Sequence, residues 1–376
     1  MKIAYFCQFS HPSICGTWNR VHKVAKEMIR KGHEVHVFSS NLIKNTDKTS
    51  SNYEKFEGIK IHRFPALMLL GKSLGESTLF WNFLPSLIKL KPDIIDSQVY
   101  RHPHSTFLPI IAKSIKAKAV LTTHAPFVEK DLRSGLLNKV IALYDFLLGK
   151  AILNSYSKII AITEWEKPFL IGLKAKKENI VTIYNGIDKE FLRANKKGDK
   201  NTLLFLGRIA PIKDIITLIR ALALLPKKTK LLLVGPLEEE YGKIVKEVIS
   251  ELNLGKRVKF LGPVYSLKKK VSLMSQAGIF VLPSKREGMP QSLIEAMAAG
   301  KVVISSSTKA GKELVKHGKN GFIFDIGDSE DLAKKITYAS DNHGKLGLLR
   351  KRAKKFTSNL TWDKIASKVE KVYKSL

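Results

Sequence analysis

Short, nearly continuous apolar runs recur at helix-sized intervals along this chain, and that alternation limits the fold more than any other feature. KIAYFCQF (2–9), HEVHVFSS (33–40), IKIHRF (59–64), DIIDSQ (93–98), AVLTTH (119–124), KIIAIT (158–163) and IVTIYNG (180–186) read as strands. A strand buried on both faces loses its polar alternation, and parallel neighbours need a crossover that is usually a helix. WNRVHKVAKEMIRKG (18–32) supplies one, with Val21, Val24, Ala25, Met28 and Ile29 on a single face and Gly32 as its cap. A second alternation follows, with strands at 202–207, 230–235, 259–264, 278–284, 301–306 and 321–326. Helical segments at 213–225, 238–253, 266–276, 290–299 and 328–340 separate them. The polar stretch 187–202 reads as a join. The expected fold class is therefore α/β, with two Rossmann-like doubly wound parallel-sheet domains whose strand carboxyl ends face a central cleft. The boundaries are 1–190, a linker at 191–201, a second domain at 202–345 and a basic helical segment at 346–376 that crosses back to the first domain.

Composition narrows the class. Two Cys, Cys7 and Cys15, cannot build a disulfide framework, and neither stands at metal-ligand spacing; a reducing cytosol suits them. The first apolar run is too short for a secretory signal. The most apolar stretches, 66–90 and 136–153, are broken by charged residues, Gly or Pro within the ~18 residues a spanning helix needs, so a soluble protein is expected. The net charge of +32 draws attention to polyanions. It is spread evenly, without a basic arm or an aromatic-interleaved tract, and nucleic acid is not an expected partner. Neither a GxGxxG after the first strand nor a GxxxxGK[ST] is present, which argues against a dinucleotide oxidoreductase or a P-loop enzyme.

Two segments carry chemistry. In SKREGMPQSLIEAMAAGKVVIS (284–305), a strand ends, a loop presents Glu287 and Gly288, and a helix runs from Pro290 to Gly300 with Glu295 inside it. A helix N-terminus preceded by the Gly288 amide is an anion site suited to a diphosphate, and the two carboxylates can accept from hydroxyls. In LLFLGRIAPIKDIITLIRAL (203–222), Gly207, Arg208 and Lys213 follow the second domain's first strand. Cations there can neutralise charge on a departing nucleoside diphosphate.

Together these segments resemble the family-4 retaining glycosyltransferases of GT-B architecture (glycosyl transferases group 1). GHEVHVFSS (32–40), DIIDSQ (93–98), LTTHAPF (121–127), IVTIYNGID (180–188), GRIAPIKD (207–214), the Glu-x(7)-Glu pair Glu287/Glu295 and NGFIFD (320–325) occur in the family's order over nearly the whole chain. Two places depart from the pattern: SICGTW (13–18) has one Gly where two are common, and Gly288-Met289-Pro290 replaces a Gly-aromatic-Gly pattern. The resemblance implies that Arg208 and Lys213, beside Gly207, hold the donor diphosphate and that Glu295 holds the ribose. It implies that Glu287, Gly288 and Met289 contact the donor sugar, that His124 faces the reaction centre, and that Gly16 lies near phosphate or acceptor. It also implies catalysis without metal or other cofactor, and no DxD at a strand end opposes this.

The expected function is transfer of a hexose, with retention, from a nucleoside-diphosphate sugar to a glycan, a polyprenyl- or lipid-linked molecule or a cell-envelope acceptor. The expected location is cytoplasmic, peripheral on the inner face of an anionic membrane. Segment 66–90, with Phe80, Trp81 and Phe83 between Lys72 and Lys89, is the expected contact. The competing readings are a sugar-nucleotide 2-epimerase of the same architecture and a catalytically silent binding protein.

Overall fold

The computed structural model describes residues 1–44, 46, 48–70, 77–127, 135–194 and 196–376. They form two units, Met1–Gly186 with Trp362–Leu376, and Ile187–Thr361. Each is a doubly wound α/β unit with its own core.

Among the described residues the first unit has ten strands: β1 (Lys2–Phe6), β2 (Glu34–Ser40), β3 (Tyr53–Phe56), β4 (Ile59–Phe64), β5 (Ala66–Leu70), β6 (Ser77–Phe80), β7 (Ile94–Gln98), β8 (Lys118–Thr122), β9 (Lys158–Ala161) and β10 (Ile180–Thr182). Eight make one sheet in the order β10-β9-β8-β7-β1-β2-β4-β3, parallel except where β3 meets β4. Alternate side chains divide its two faces. Ala4, Phe6, Ile95 and Leu121 enter one core with Leu87, Leu108, Ile152 and Leu153 from the overlying helices. On the other face lie helix Gly16–Arg30, which buries Val21, Val24, Ala25 and Met28, and the terminal helix Trp362–Lys374. Its Trp362 explains the glycine at the end of the first stretch, because a Cβ on Gly186 would stand 2.5 Å from the indole.

In the second unit β11 (Asp199–Leu206), β12 (Lys230–Val234), β13 (Val258–Phe260), β14 (Ala277–Leu282), β15 (Val302–Ser306) and β16 (Phe322–Phe324) form a wholly parallel sheet, order β13-β12-β11-β14-β15-β16. In each sheet the chain starts centrally and winds outward both ways. The loops after β1 and β7, and those after β11 and β14, therefore stand at the topological switch points where open α/β sheets bind ligands.

The structure corrects several expectations. Residues 191–201 are not a linker. They hold the end of helix Lys189–Arg193 and the start of β11, within the second unit. The C-terminal segment divides, with helix Gly347–Thr357 in the second unit and Trp362–Lys374 in the first. Within segment 66–90, β5 and β6 pair antiparallel and Leu84–Leu90 is a helix; Lys72 lies outside the described residues. Strand β8 ends at Thr122, so His124 sits in the following loop rather than at a strand end. Pro290 is the residue before helix Gln291–Ala298, not its first.

Candidate functional site

The switch point of the second unit gathers most of the residues singled out from sequence. Gly207 continues β11, with its amide donating to the Val234 carbonyl at 2.9 Å. Gly235, at φ +144°, comes so close that a Cβ there would lie 1.9 Å from the Gly207 oxygen; glycine alone permits this packing. The chain then turns through Pro211–Lys213 into helix Ile215–Ala223. The Lys285 amide donates to the Ile212 carbonyl at 2.9 Å, tying the loop after β14 to the loop after β11. That link brings Lys213 and Glu287, 74 residues apart in sequence, into an ion pair of 2.6 Å. The Ser284 hydroxyl donates to the same Glu287 oxygen at 2.6 Å, and Ser284 is itself fixed by Ser306, whose hydroxyl donates to its carbonyl. The Glu287 side chain is 8% exposed and the Lys213 side chain 21%, so the pair is partly withdrawn from water and held in one geometry.

Glu295 is buried on helix Gln291–Ala298 and accepts from Gln291 at 3.3 Å. Met289 is buried in the loop before that helix. Arg208 stands apart from the pair: its side chain is 60% exposed and its nearest carboxylate is Glu238 at 3.8 Å. An exposed guanidinium over a switch point is free to swing onto an anion, and its fork matches phosphate oxygens.

In the first unit, Gly16 opens helix Gly16–Arg30, and a Cβ there would meet nothing within 4 Å. His124 and Ala125 both take left-handed backbone, at φ +57° and +52°. For residues with a Cβ this costs about 1–2 kcal/mol each. Buried Glu166 holds the loop in that shape, accepting from the Thr123 hydroxyl at 2.5 Å and the Ala125 amide at 2.8 Å. It anchors to the far side through the Ile162 and Thr163 amides, at 2.8 and 3.0 Å. Burial raises the Glu166 pKa despite these hydrogen bonds.

A buried relay fixes the His124 ring. The Tyr373 hydroxyl donates to Asp96 Oδ2 at 2.5 Å, and Gln98 Nε2 donates to Asp96 Oδ1 at 2.7 Å. The Gln98 oxygen therefore turns to His124 Nε2, 2.8 Å away, which must be the protonated nitrogen. Burial, helped by the charge of Arg20, pushes the His124 pKa down to about 3, so the ring is neutral at physiological pH and Nδ1 is left as an acceptor. Burial also lifts Asp96 to about 7, against the hydrogen bonds it accepts. The sequence singles out His124 but not Asp96, Gln98, Glu166 or Tyr373. Only the buried, polar DSQ at the end of an apolar strand hinted at the first two.

Two family models match the chain: "Glycosyltransferase Family 4" over residues 14–191 and "Glycosyl transferases group 1" over residues 187–359. An uncharacterized glycosyltransferase of Methanocaldococcus jannaschii is 25% identical over 100% of this chain and 99% of its own. The capsular polysaccharide biosynthesis glycosyltransferase CapM of Staphylococcus aureus is 27% identical over 90% of each chain. Among solved structures, the Anabaena protein HepE in complex with UDP superposes over 100% of both chains with a TM-score of 0.79 at 21% identity; it has also been solved with UDP-glucose. These likenesses make the fold GT-B.

Proposed function

The chain belongs to the group 1 and family 4 glycosyltransferases, and from that premise we propose that it moves a hexose, with retention, from a nucleoside-diphosphate sugar to a glycan or lipid-linked acceptor of the cell envelope. The observation that carries this reading is the Lys213–Glu287 pair, joined at 2.6 Å across the loops after β11 and β14. A cation and a hydroxyl acceptor at one switch point suit the two ends of a sugar diphosphate.

Lys213 and the exposed fork of Arg208 take the diphosphate and stabilise the charge that grows on it as the glycosidic bond breaks. They do electrostatically what a metal ion does elsewhere, and transfer proceeds without one. Glu295 accepts from the ribose. Glu287, with Oε1 fixed by Lys213 and Ser284, holds the donor sugar together with Gly288 and Met289. The acceptor hydroxyl attacks the face the diphosphate leaves, and the leaving phosphate takes its proton, so configuration is kept. In the first unit, His124 and Gly16 belong to the acceptor side, with Tyr373, Asp96 and Gln98 as positioning residues for the His124 ring. The UDP complexes of HepE favour UDP as the donor's nucleotide, and CapM favours a polysaccharide precursor as acceptor. Such acceptors are met at the cytoplasmic face of a membrane.

Glu287→Ala tests the assignment. It is expected to lower transfer by about 100-fold or more while weakening donor binding far less. Unchanged turnover in that variant removes Glu287 from the site. Steady donor turnover by the wild type without any acceptor, with the sugar epimerised, overturns transfer itself.

A further inference from the structure

The outer surface of one helical layer of the first unit is apolar where it meets water. Helices Leu84–Leu90 and Pro103–Ser114 and the continuous helical run Gly135–Ser155 all bury side chains in the same core, on one face of the sheet. Helix Gly135–Tyr144 nevertheless has no buried residue. Leu136, Val140, Leu143 and Leu147 recur at helical spacing and are 75, 56, 58 and 62% exposed, and Phe146 beside them is 85% exposed. An amphipathic helix normally turns such a stripe inward; here it faces out. The clustering is local: 13 of the 25 exposed large hydrophobic residues among those described lie between Leu67 and Leu148. An apolar patch of this kind marks an interaction surface.

Charge selects its occupant. The three helical segments carry Lys89, Lys113, Lys139 and Lys150, all exposed. Their one acid, Asp145, is already engaged by Arg101 Nε at 2.9 Å and the Tyr100 hydroxyl at 3.0 Å. A second copy of this face would set lysines against lysines. An anionic bilayer accepts both parts, side chains among the acyl chains and ammonium groups at the headgroups. Among the described residues no helix is long and apolar enough to cross a membrane, so the contact is in the plane.

We propose that this helical face docks on an anionic lipid surface, with the Leu136–Leu147 stripe lying in the headgroup boundary. The proposal rests on the reading of a membrane-borne acceptor and gives it a surface. It moves the contact from segment 66–90 alone to the layer centred on residues 135–150.

The test is co-sedimentation of the full chain with vesicles of phosphatidylcholine alone or mixed equally with phosphatidylglycerol, at low and high salt. Leu143→Glu combined with Phe146→Glu, both exposed, leaves the core untouched. Wild type is expected to pellet only with the anionic vesicles and less at high salt, and the double variant to bind at least about tenfold more weakly. No pelleting of wild type overturns the proposal, as does equal binding by the variant or equal binding to neutral vesicles. A wild-type dimer on size exclusion that the double variant abolishes also overturns it, since a second copy then covers the face. UDP thermal shift on the same samples separates the two claims: a retained shift without pelleting refutes docking alone, whereas pelleting without any shift refutes the donor reading alone.

Discussion

Asp96→Asn should make the first unit more stable at neutral pH, although it removes a carboxylate that accepts three side-chain hydrogen bonds, from Tyr373, Gln98 and Thr122. Burial lifts Asp96 from an ordinary value of 3.8 to about 7. Below pH ~4 the folded and unfolded chains both carry the proton, and the group has no net effect. Between pH ~4 and ~7 the unfolded chain gives up the proton that the folded chain keeps, so stability falls as pH rises. A shift of roughly three units at about 1.4 kcal/mol each gives a loss of about 4 kcal/mol, complete by pH ~8. Asn cannot titrate, and its oxygen still accepts from Gln98 and Thr122. The measurement is urea unfolding of both proteins at several values between pH 4 and 8, taking the transition of the first unit. The expected result is a wild-type minus variant difference that moves against wild type by about 4 kcal/mol over that range. A difference that stays flat, or moves the other way, shows that Asp96 ionises normally in the folded chain and refutes the reasoning.

Other perturbations read other parts of the structure. The buried Lys301 ammonium donates to the Lys196 carbonyl at 2.6 Å, and burial lowers its pKa to about 8. Allowing for solvent screening and for the lost hydrogen bond, Lys301→Met should raise stability by about 1–2 kcal/mol at pH 7. That advantage should shrink between pH ~8 and ~10, where the folded chain sheds the proton the unfolded chain keeps; chemical denaturation across that range checks it. Gln98→Leu frees the His124 ring, and turnover should fall at least about tenfold with UDP affinity unchanged. Tyr373→Phe leaves Gln98 in place and should cost about 1–3 kcal/mol of stability with a smaller kinetic effect; steady-state kinetics and unfolding together separate the two.

Much of this architecture is legible in the sequence. Runs such as KLLLV and AGIFVL are apolar because both faces of their strands are covered, and that signal needs no tertiary information. The edge strand Tyr53–Phe56 escaped because its side chains alternate between exposed and half-buried, with Glu and Lys among them. The start of β11 escapes for a related reason: Asp199–Asn201 is polar and lies at the exposed end of its strand. Lys213 and Glu287 both stand out in the sequence, because each sits in a loop at a strand's carboxyl end beside a helix start. Their pairing does not, since it depends on the Lys285–Ile212 hydrogen bond between two loops. Tyr373 was least accessible of all. It lies 277 residues from Asp96, on a helix whose period shows that it packs but not on which unit.

Donor binding depends on a diphosphate site at the switch point of the second unit. Calorimetric titration of UDP into the wild type, Lys213→Ala and Arg208→Ala tests it most directly. The prediction is saturable binding by wild type that each substitution weakens at least about tenfold, with Arg208→Ala keeping the wild-type unfolding transition because its side chain is exposed. UDP affinity equal in all three proteins would contradict it.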